Sequence, residues 1–189
     1  MEHSDHELMA RLAEGEDAAL NELMDRWGGR VAAFLHRLTG QREVAADLAQ
    51  ETFVNLYQAR ERYRPRGNFS TYLFSIASNL ARNHARWNRR HPTVSSAAGP
   101  DADEGTVNQL ADPAPTPDEA ARAAERFRAV HAAFLLLPTE LREAMSLFVY
   151  EGLGYADIAA IAQCSPKAVE TRIYRARQLL KEHLREHLT

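Results

Sequence analysis

The sequence predicts an all-α protein: two small helical domains, an N-terminal helical bundle and a C-terminal helix-turn-helix domain, joined by a flexible acidic Pro-rich linker. Three observations predict it. Apolar residues recur at helical spacing on both sides of the chain's middle. That middle collects Pro92, Pro100, Pro113, Pro115 and Pro117, and all its charges (Asp101, Asp103, Glu104, Asp112, Asp118, Glu119) are negative. Near the end, Ser165-Pro166 restarts a helical pattern just after another has stopped. The chain's 189 residues and 45% hydrophobic content suffice for two small cores. No apolar run reaches the roughly eighteen residues that a membrane crossing needs, so no membrane insertion is expected. The first residues, Met1 to Glu7, are acidic with no apolar stretch behind a basic start, so no secretory signal is predicted and a cytoplasmic location is expected. Cys164 is the only cysteine, which excludes an internal disulfide and a multi-thiolate zinc site and suits a small packing residue at a turn.

The N-terminal domain, residues 1–91, reads as helical throughout. A short amphipathic helix spans Glu7 to Ala13, and a second runs from Ala18 to Leu38 after the Gly15-Glu16-Asp17 break. Leu20, Leu23, Met24, Trp27, Val31, Phe34, Leu35 and Leu38 give the second helix a broad face for burial, and Thr39-Gly40 ends it. Gly28-Gly29 is a place where it can bend. A third helix is expected from about Arg42 to Tyr63, with Leu48, Phe53, Leu56 and Tyr57 inward and Asp47, Gln50, Glu51 and Asn55 on polar surface. Arg64-Pro65-Arg66-Gly67 makes a basic loop, and a fourth helix runs from near Ser70 to about Arg90 with Leu73, Ile76, Leu80 and Trp87 in one apolar arc.

Residues 92–117 are the linker. Low hydrophobicity and charge of one sign cannot offset the entropy of ordering, so disorder is expected over about Thr93 to Pro117. The C-terminal domain follows at 118–189. Its Leu137-Pro138 opens a helix that puts Leu141, Met145 and Phe148 on one face and stops near Gly152. Ile158, Ala159, Ile161 and Ala162 then keep helical spacing up to Cys164. At Ser165-Pro166 the serine oxygen can accept from an orphan N–H, while proline sits where no donor is needed. Beyond it Val169, Ile173, Ala176 and Leu180 share a narrow inward arc.

Two polar faces remain. On the last helix, Lys167, Glu170, Thr171, Tyr174 and Gln178 lie opposite the apolar arc, with Arg172, Arg175 and Arg177 along the edges. Base-reading groups flanked by guanidinium groups are what a major-groove recognition helix requires, although any amphipathic helix has a charged outer face. On the fourth helix Ser75, Asn79, Arg82 and Arg86 share one side, with Tyr72, Asn83 and Arg90 at its margin. Amide, hydroxyl, aromatic and guanidinium groups beside a basic loop suit a captured single strand, and equally a solvated basic helix. Tyr72 is the best stacking candidate, whereas Phe69, Phe74 and Trp87 suit a core. The net charge of −3 is no obstacle, since local patches govern binding.

The residues that distinguish these readings are the motifs. Leu137-Pro138, Leu141-Arg142-Glu143-Ala144, Tyr150-Glu151-Gly152-Leu153, Tyr155-Ala156-Asp157-Ile158-Ala159 and Val169-Glu170-Thr171-Arg172-Ile173-Tyr174-Arg175-Ala176-Arg177 closely resemble the fourth region of extracytoplasmic-function sigma factors of bacterial RNA polymerase, in the sigma-70 family. Asp47-Leu48-Ala49-Gln50-Glu51-Thr52-Phe53-Val54, Tyr57, Phe69-Ser70-Thr71-Tyr72-Leu73-Phe74-Ser75-Ile76-Ala77 and Asn79-Leu80-Ala81-Arg82-Asn83 resemble the second region of the same family. The resemblance implies a subunit that binds core RNA polymerase, at its β′ clamp and β flap, and directs promoter-specific transcription initiation. It implies polymerase docking by Asp47, Gln50 and Glu51. Capture of the minus-ten nontemplate strand would fall to Arg66, Asn68, Phe69, Thr71, Tyr72, Ser75, Asn79, Arg82, Asn83 and Arg86. Reading of the minus-thirty-five element would fall to Lys167, Glu170, Thr171, Arg172, Tyr174, Arg175 and Arg177. An anti-sigma partner is implied as well. Two departures stand out: Glu170 where the family often has Lys or Arg, and Ser75 in place of a frequent Arg. A carboxylate at 170 can accept from cytosine N4 or pair with Lys167 or Tyr174 on its own helix, and the second is favoured.

Other constellations carry less. His183 and His187 have ligand spacing without a third ligand, which fits a solvated terminus better than a metal site. His3 and His6 suit a frayed tail. No phosphate loop, catalytic triad or cysteine pair is present, so neither an enzyme nor a cofactor is expected. The alternative class is a freestanding helix-turn-helix regulator whose N-terminal domain is a sensor. The acidic linker and the docking helix favour the first reading.

Overall fold

The computed structural model describes residues 3–91 and 117–185. The linker predicted over 92–117 falls, but for Pro117, outside the described residues, as does His187. Eight α-helices make up what is described: α1 (Asp5–Ala13), α2 (Ala18–Thr39), α3 (Arg42–Gln58), α4 (Phe69–Arg90), α5 (Pro117–Leu135), α6 (Thr139–Val149), α7 (Tyr155–Ala162) and α8 (Pro166–His183). No strand occurs among the described residues. The all-α, two-part architecture is as the periodicity predicts.

Local chemistry sets the helix ends. The first helix starts two residues before its predicted bound, because Ser4 and Glu7 form a reciprocal capping box: the Glu7 N–H donates to Ser4 Oγ at 3.3 Å and the Ser4 N–H to Glu7 Oε2 at 2.7 Å. Gly40 closes α2 in the left-handed region, φ 71°, where a Cβ would also stand 3.3 Å from Leu135 Cδ2. The third helix stops at Gln58, short of Tyr63, and a 3-10 turn over Arg60–Arg62 tightens the chain before the loop.

In the N-terminal unit α2 packs on α1, α3 and α4 around Leu23, Val31, Phe34, Leu35, Leu56, Leu73 and Phe74. Phe34 and Phe74 meet edge to face at 5.1 Å, and Trp27 adds edge contacts to Phe69 and Phe74 at 5.8 and 6.2 Å. Truncating Phe34 to Ala would cost about 3–5 kcal/mol. Two predicted core residues lie elsewhere: Trp87 is 51% exposed and Met24 40% exposed. Trp87 lies to one side of the stripe that is buried along α4, Leu73, Phe74, Ala77 and Ala81, and its indole stacks on His91 of its own helix at 5.0 Å.

The C-terminal unit closes around Leu137, Leu147, Ile158, Ile161, Val169, Ile173 and Ala176. The two units also pack on each other, α6 lying against α2 and α7 against α4. Arg142 ties this seam from the α6 side, donating to the Leu38 carbonyl at 2.9 Å, to the Leu137 carbonyl at 2.8 Å and to the Leu135 carbonyl. A cation facing carbonyls at the ends of α2 and α5 answers both helix dipoles. Burial holds the Arg142 pKa below the ordinary arginine value.

Candidate nucleic-acid interface

The N-terminal face is built from the loop over 64–68 and from α4. Pro65 stiffens the loop, and Gly67 at φ 72° turns it through a conformation that side chains resist. Arg66 and Asn68 are exposed there, and Asn68 occupies the N-cap of α4 without spending its side chain on the helix. Leu73, Phe74, Ala77 and Ala81 are buried along α4, so Asn79, Asn83 and Arg86 face solvent. The Asn79 Oδ1 accepts from Arg82 Nη2 at 2.7 Å, which orients its amide and leaves its NH2 pointing outward. Ser75 is half-buried and donates to the Tyr72 carbonyl at 2.6 Å, a back-bond within its own turn.

The aromatic wall of this face includes a residue that sequence reading left out. Tyr63 lies 5.0 Å from the Tyr72 ring and 6.3 Å from Phe69, and its hydroxyl meets His6 Nδ1 at 2.7 Å. Burial, reinforced by the neighbouring Tyr72, pushes the Tyr63 phenol up to about 12. Burial raises Tyr72 too. The available signal was an aromatic residue directly before a basic loop, hidden by its assignment to a helix end. Phe69 is buried beneath the pair, against Trp27, and supports the loop from below. The remaining strand candidates, Thr71 and Arg82, are engaged across the seam: Thr71 Oγ1 donates to Asp157 Oδ1 at 3.0 Å, and Arg82 reaches Glu143 Oε1 at 2.8 Å and the Ile161 carbonyl at 3.1 Å.

On α3, Asp47, Gln50 and Glu51 are exposed while Leu48, Ala49 and Thr52 are buried beneath them. The Thr52 hydroxyl is satisfied by the Leu48 carbonyl at 2.7 Å.

On α8 the Ser165 Oγ accepts from the Ala168 N–H at 3.2 Å with Pro166 opening the helix, as the sequence predicts. Val169, Ile173 and Ala176 are buried, and Tyr174, 64% exposed, projects outward with Thr171, Arg175 and Arg177. Lys167 and Glu170 form an exposed pair at 2.8 Å, the favoured alternative for the anomalous carboxylate. Arg172 turns back to Glu140 at 3.0 Å, and Arg177 lies 5.4 Å over the Phe148 ring. Of the predicted set, Thr171, Tyr174 and Arg175 therefore form the outward centre. Among the described residues no group of three or more His, Cys, Asp or Glu side chains could hold a metal ion, and no helix is long and apolar enough to cross a membrane.

These features have counterparts in known proteins. The Sigma-70 region 2 family model matches residues 23–91, and the Sigma-70, region 4 model matches residues 127–180. The chain is 32% identical over 181 residues to the ECF RNA polymerase sigma-E factor of Haemophilus influenzae, covering 96% of this chain and 95% of that one. It is 31% identical over 183 residues to the RNA polymerase sigma-H factor of Pseudomonas aeruginosa, covering 97% and 95%. Among solved structures, CnrH in complex with the cytosolic domain of CnrY superposes with a TM-score of 0.69 at 26% identity, over 96% of this chain and 97% of that one. The sigma factor RpoE bound to the anti-sigma factor NepR from Bartonella quintana shares the fold, with a TM-score of 0.65 at 23% identity over 87% and 96%.

Proposed function

The chain belongs to the extracytoplasmic-function sigma factors of the sigma-70 family and directs transcription initiation, and from that premise we propose that α4 and the loop before it capture the minus-ten nontemplate strand while α8 reads the minus-thirty-five element. The observation that carries the reading is the outward row Asn68, Asn79, Asn83 and Arg86 beside the Tyr63–Tyr72 wall, with the buried stripe Leu73, Phe74, Ala77 and Ala81 turned away. Extruding a base costs a few kcal/mol of stacking, which pocket contacts and phosphate neutralisation offset. Asn79 is the base-reading candidate, because its oriented amide can present both a donor and an acceptor. Arg66 and Arg86 hold phosphates and carry no base information.

On the second element, Thr171, Tyr174 and Arg175 face the major groove, with the Lys167–Glu170 pair at its edge contributing little net charge. Asp47, Gln50 and Glu51 dock the β′ clamp of core polymerase, and the C-terminal unit meets the β flap. An anti-sigma partner fits the same protein, as in the solved neighbour crystallised with one. The two units act as domains at 1–91 and 118–189, with residues 92–117 a tether in the cytoplasmic holoenzyme.

The test is open-complex formation by the purified protein with core polymerase on promoters substituted at each minus-ten position. Asn79→Ala should lose about 1–3 kcal/mol of discrimination at one position only, while retaining core binding. Arg86→Ala should weaken all sequences alike and reduce the salt dependence. Equal loss at every base for Asn79→Ala would reassign it to the backbone. Failure to co-elute with core polymerase would remove the docking assignment.

A further inference from the structure

His6, expected in a frayed tail, stands instead in the first turn of α1. It is half-buried, its Nδ1 lies 2.7 Å from the Tyr63 hydroxyl, and the two rings are 6.0 Å apart at an interplanar angle of 24°. The helix that carries it has other anchors. Leu8, Met9 and Leu12 are fully buried, Asp5 pairs with Arg26 at 2.6 Å, and the Ser4–Glu7 box fixes the first turn. One more hydrogen bond adds little to a helix held in this way. Tyr63 is in the opposite position. It caps the 3-10 turn against which α1 packs, and its backbone leaves the helical region there, at ψ 134°, to enter the basic loop. Its ring is held by packing on Tyr72 and Phe69, and its hydroxyl by His6. The constraint therefore runs from α1 to the aromatic wall.

We propose that His6 is a positioning residue for strand capture: it pins the Tyr63 hydroxyl, so that the Tyr63–Tyr72 wall meets an unstacked base as a preformed surface, and Tyr63 offers that base its ring rather than a hydrogen bond. A wall that must be ordered as the strand arrives loses affinity to the entropy of ordering, and one already pinned does not. The bond closes in either imidazole tautomer, because a phenol donates to a bare Nδ1 and accepts from an Nδ1–H. Stacking on a ring tolerates every base, since each has a π-face. His6 thus acts on the strength of capture and leaves base preference to the amide of Asn79.

The inference rests on the strand-capture reading. The test uses the full chain with core polymerase and a promoter fragment whose minus-ten nontemplate strand is left single-stranded. His6→Phe keeps a ring on α1 and removes its polar atoms. Affinity for the fragment should fall about fivefold, the factor for one neutral hydrogen bond, by the same amount whichever base stands at each minus-ten position. His6→Asn, whose amide sets a polar atom where Nδ1 stood, should restore most of the loss. On a Tyr63→Phe background, with no hydroxyl to pin, His6→Phe should change nothing further. Helicity by circular dichroism and co-elution with core polymerase should be unchanged in each protein. Full affinity in His6→Phe, no recovery in His6→Asn, or an equal further loss on the Tyr63→Phe background would each overturn the proposal. A loss of helicity in His6→Phe would do so too, by making the bond a contact of the fold alone. Affinity unaltered in Asn79→Ala and Arg86→Ala as well would instead remove the strand-capture reading, and the positioning role with it.

Discussion

Replacing Arg142 probes the seam at its most connected point. Its guanidinium donates to the carbonyls of Leu38 and Leu135, at the ends of two helices in different units, and to that of Leu137 in the turn before α6. A hydrogen bond from a charged donor contributes about 1.5–3 kcal/mol, and three would suggest a large loss. Two terms reduce it. The cation is itself half-buried, and the same burial that lowers its pKa is a cost that Arg142→Met removes. Methionine also keeps most of the packing of the aliphatic stem. The expected net loss is about 2 kcal/mol, which for a chain of this size lowers Tm by about 4–8 °C. Urea unfolding of the full chain should show a lower midpoint at unchanged slope if the native state alone is affected. Arg142→Lys should recover less than half, because one ammonium cannot span carbonyls on both sides of α6 as a planar fork does. An unchanged midpoint in Arg142→Met, or full recovery with lysine, would show that the fork is not what joins the two helix ends.

Three further outcomes are expected. Tyr63, pushed up to about 12, keeps its proton in the folded chain where an unfolded tyrosine loses it near 10. Its contribution to stability is therefore intact below about pH 10 and lost as the pH rises toward the folded value; tyrosinate absorbance should show one late-titrating group that Tyr63→Phe removes. Glu170→Lys breaks the pair with Lys167 and adds positive charge, so duplex binding should tighten and fall more steeply with salt, and an unaltered salt slope would place α8 away from the phosphates. Asp47→Ala/Gln50→Ala should weaken core-polymerase binding at unchanged helicity, both side chains being exposed, and a helicity loss by circular dichroism would contradict that placement.

Much of the fold was legible because its elements are marked locally. Ser165-Pro166 and Gly40 each announce a helix boundary through the chemistry of a single turn, and the stripe Val169, Ile173, Ala176 announces a buried face by spacing alone. The outward faces of the candidate site were legible by the same means: residues opposite a buried stripe must face out, and Asn79 and Tyr174 are exposed. What escaped depended on distant partners. Trp87 shares an apolar arc with Leu73, Ile76 and Leu80 by spacing, but the stripe that is buried runs through Leu73, Phe74, Ala77 and Ala81, and periodicity alone does not say which flank the neighbouring helices cover. Tyr63 acquires its place from His6, fifty-seven positions away in sequence. The seam was invisible for the same reason, since Glu143 and Glu151 look like ordinary surface carboxylates until Arg82 and Arg37 are brought to them.

Gln163 ends α7 at φ 52°, ψ 48°, and the cap at Ser165 starts α8 almost at once. Each residue of an α-helix advances the rotation by about 100°. A single residue inserted in that turn would therefore demand either that the stripe Val169, Ile173, Ala176 roll out of its seat or that α8 slide along its axis to keep it. With burial fixing the roll and the cap fixing the axial origin, α8 has no freedom left to be re-aimed relative to α7. Differences in the sequence it prefers must then arise from the identity of the side chains at 171, 174 and 175, carried on a scaffold of constant pose. Exchanging those side chains should transplant a preference without redesigning the turn.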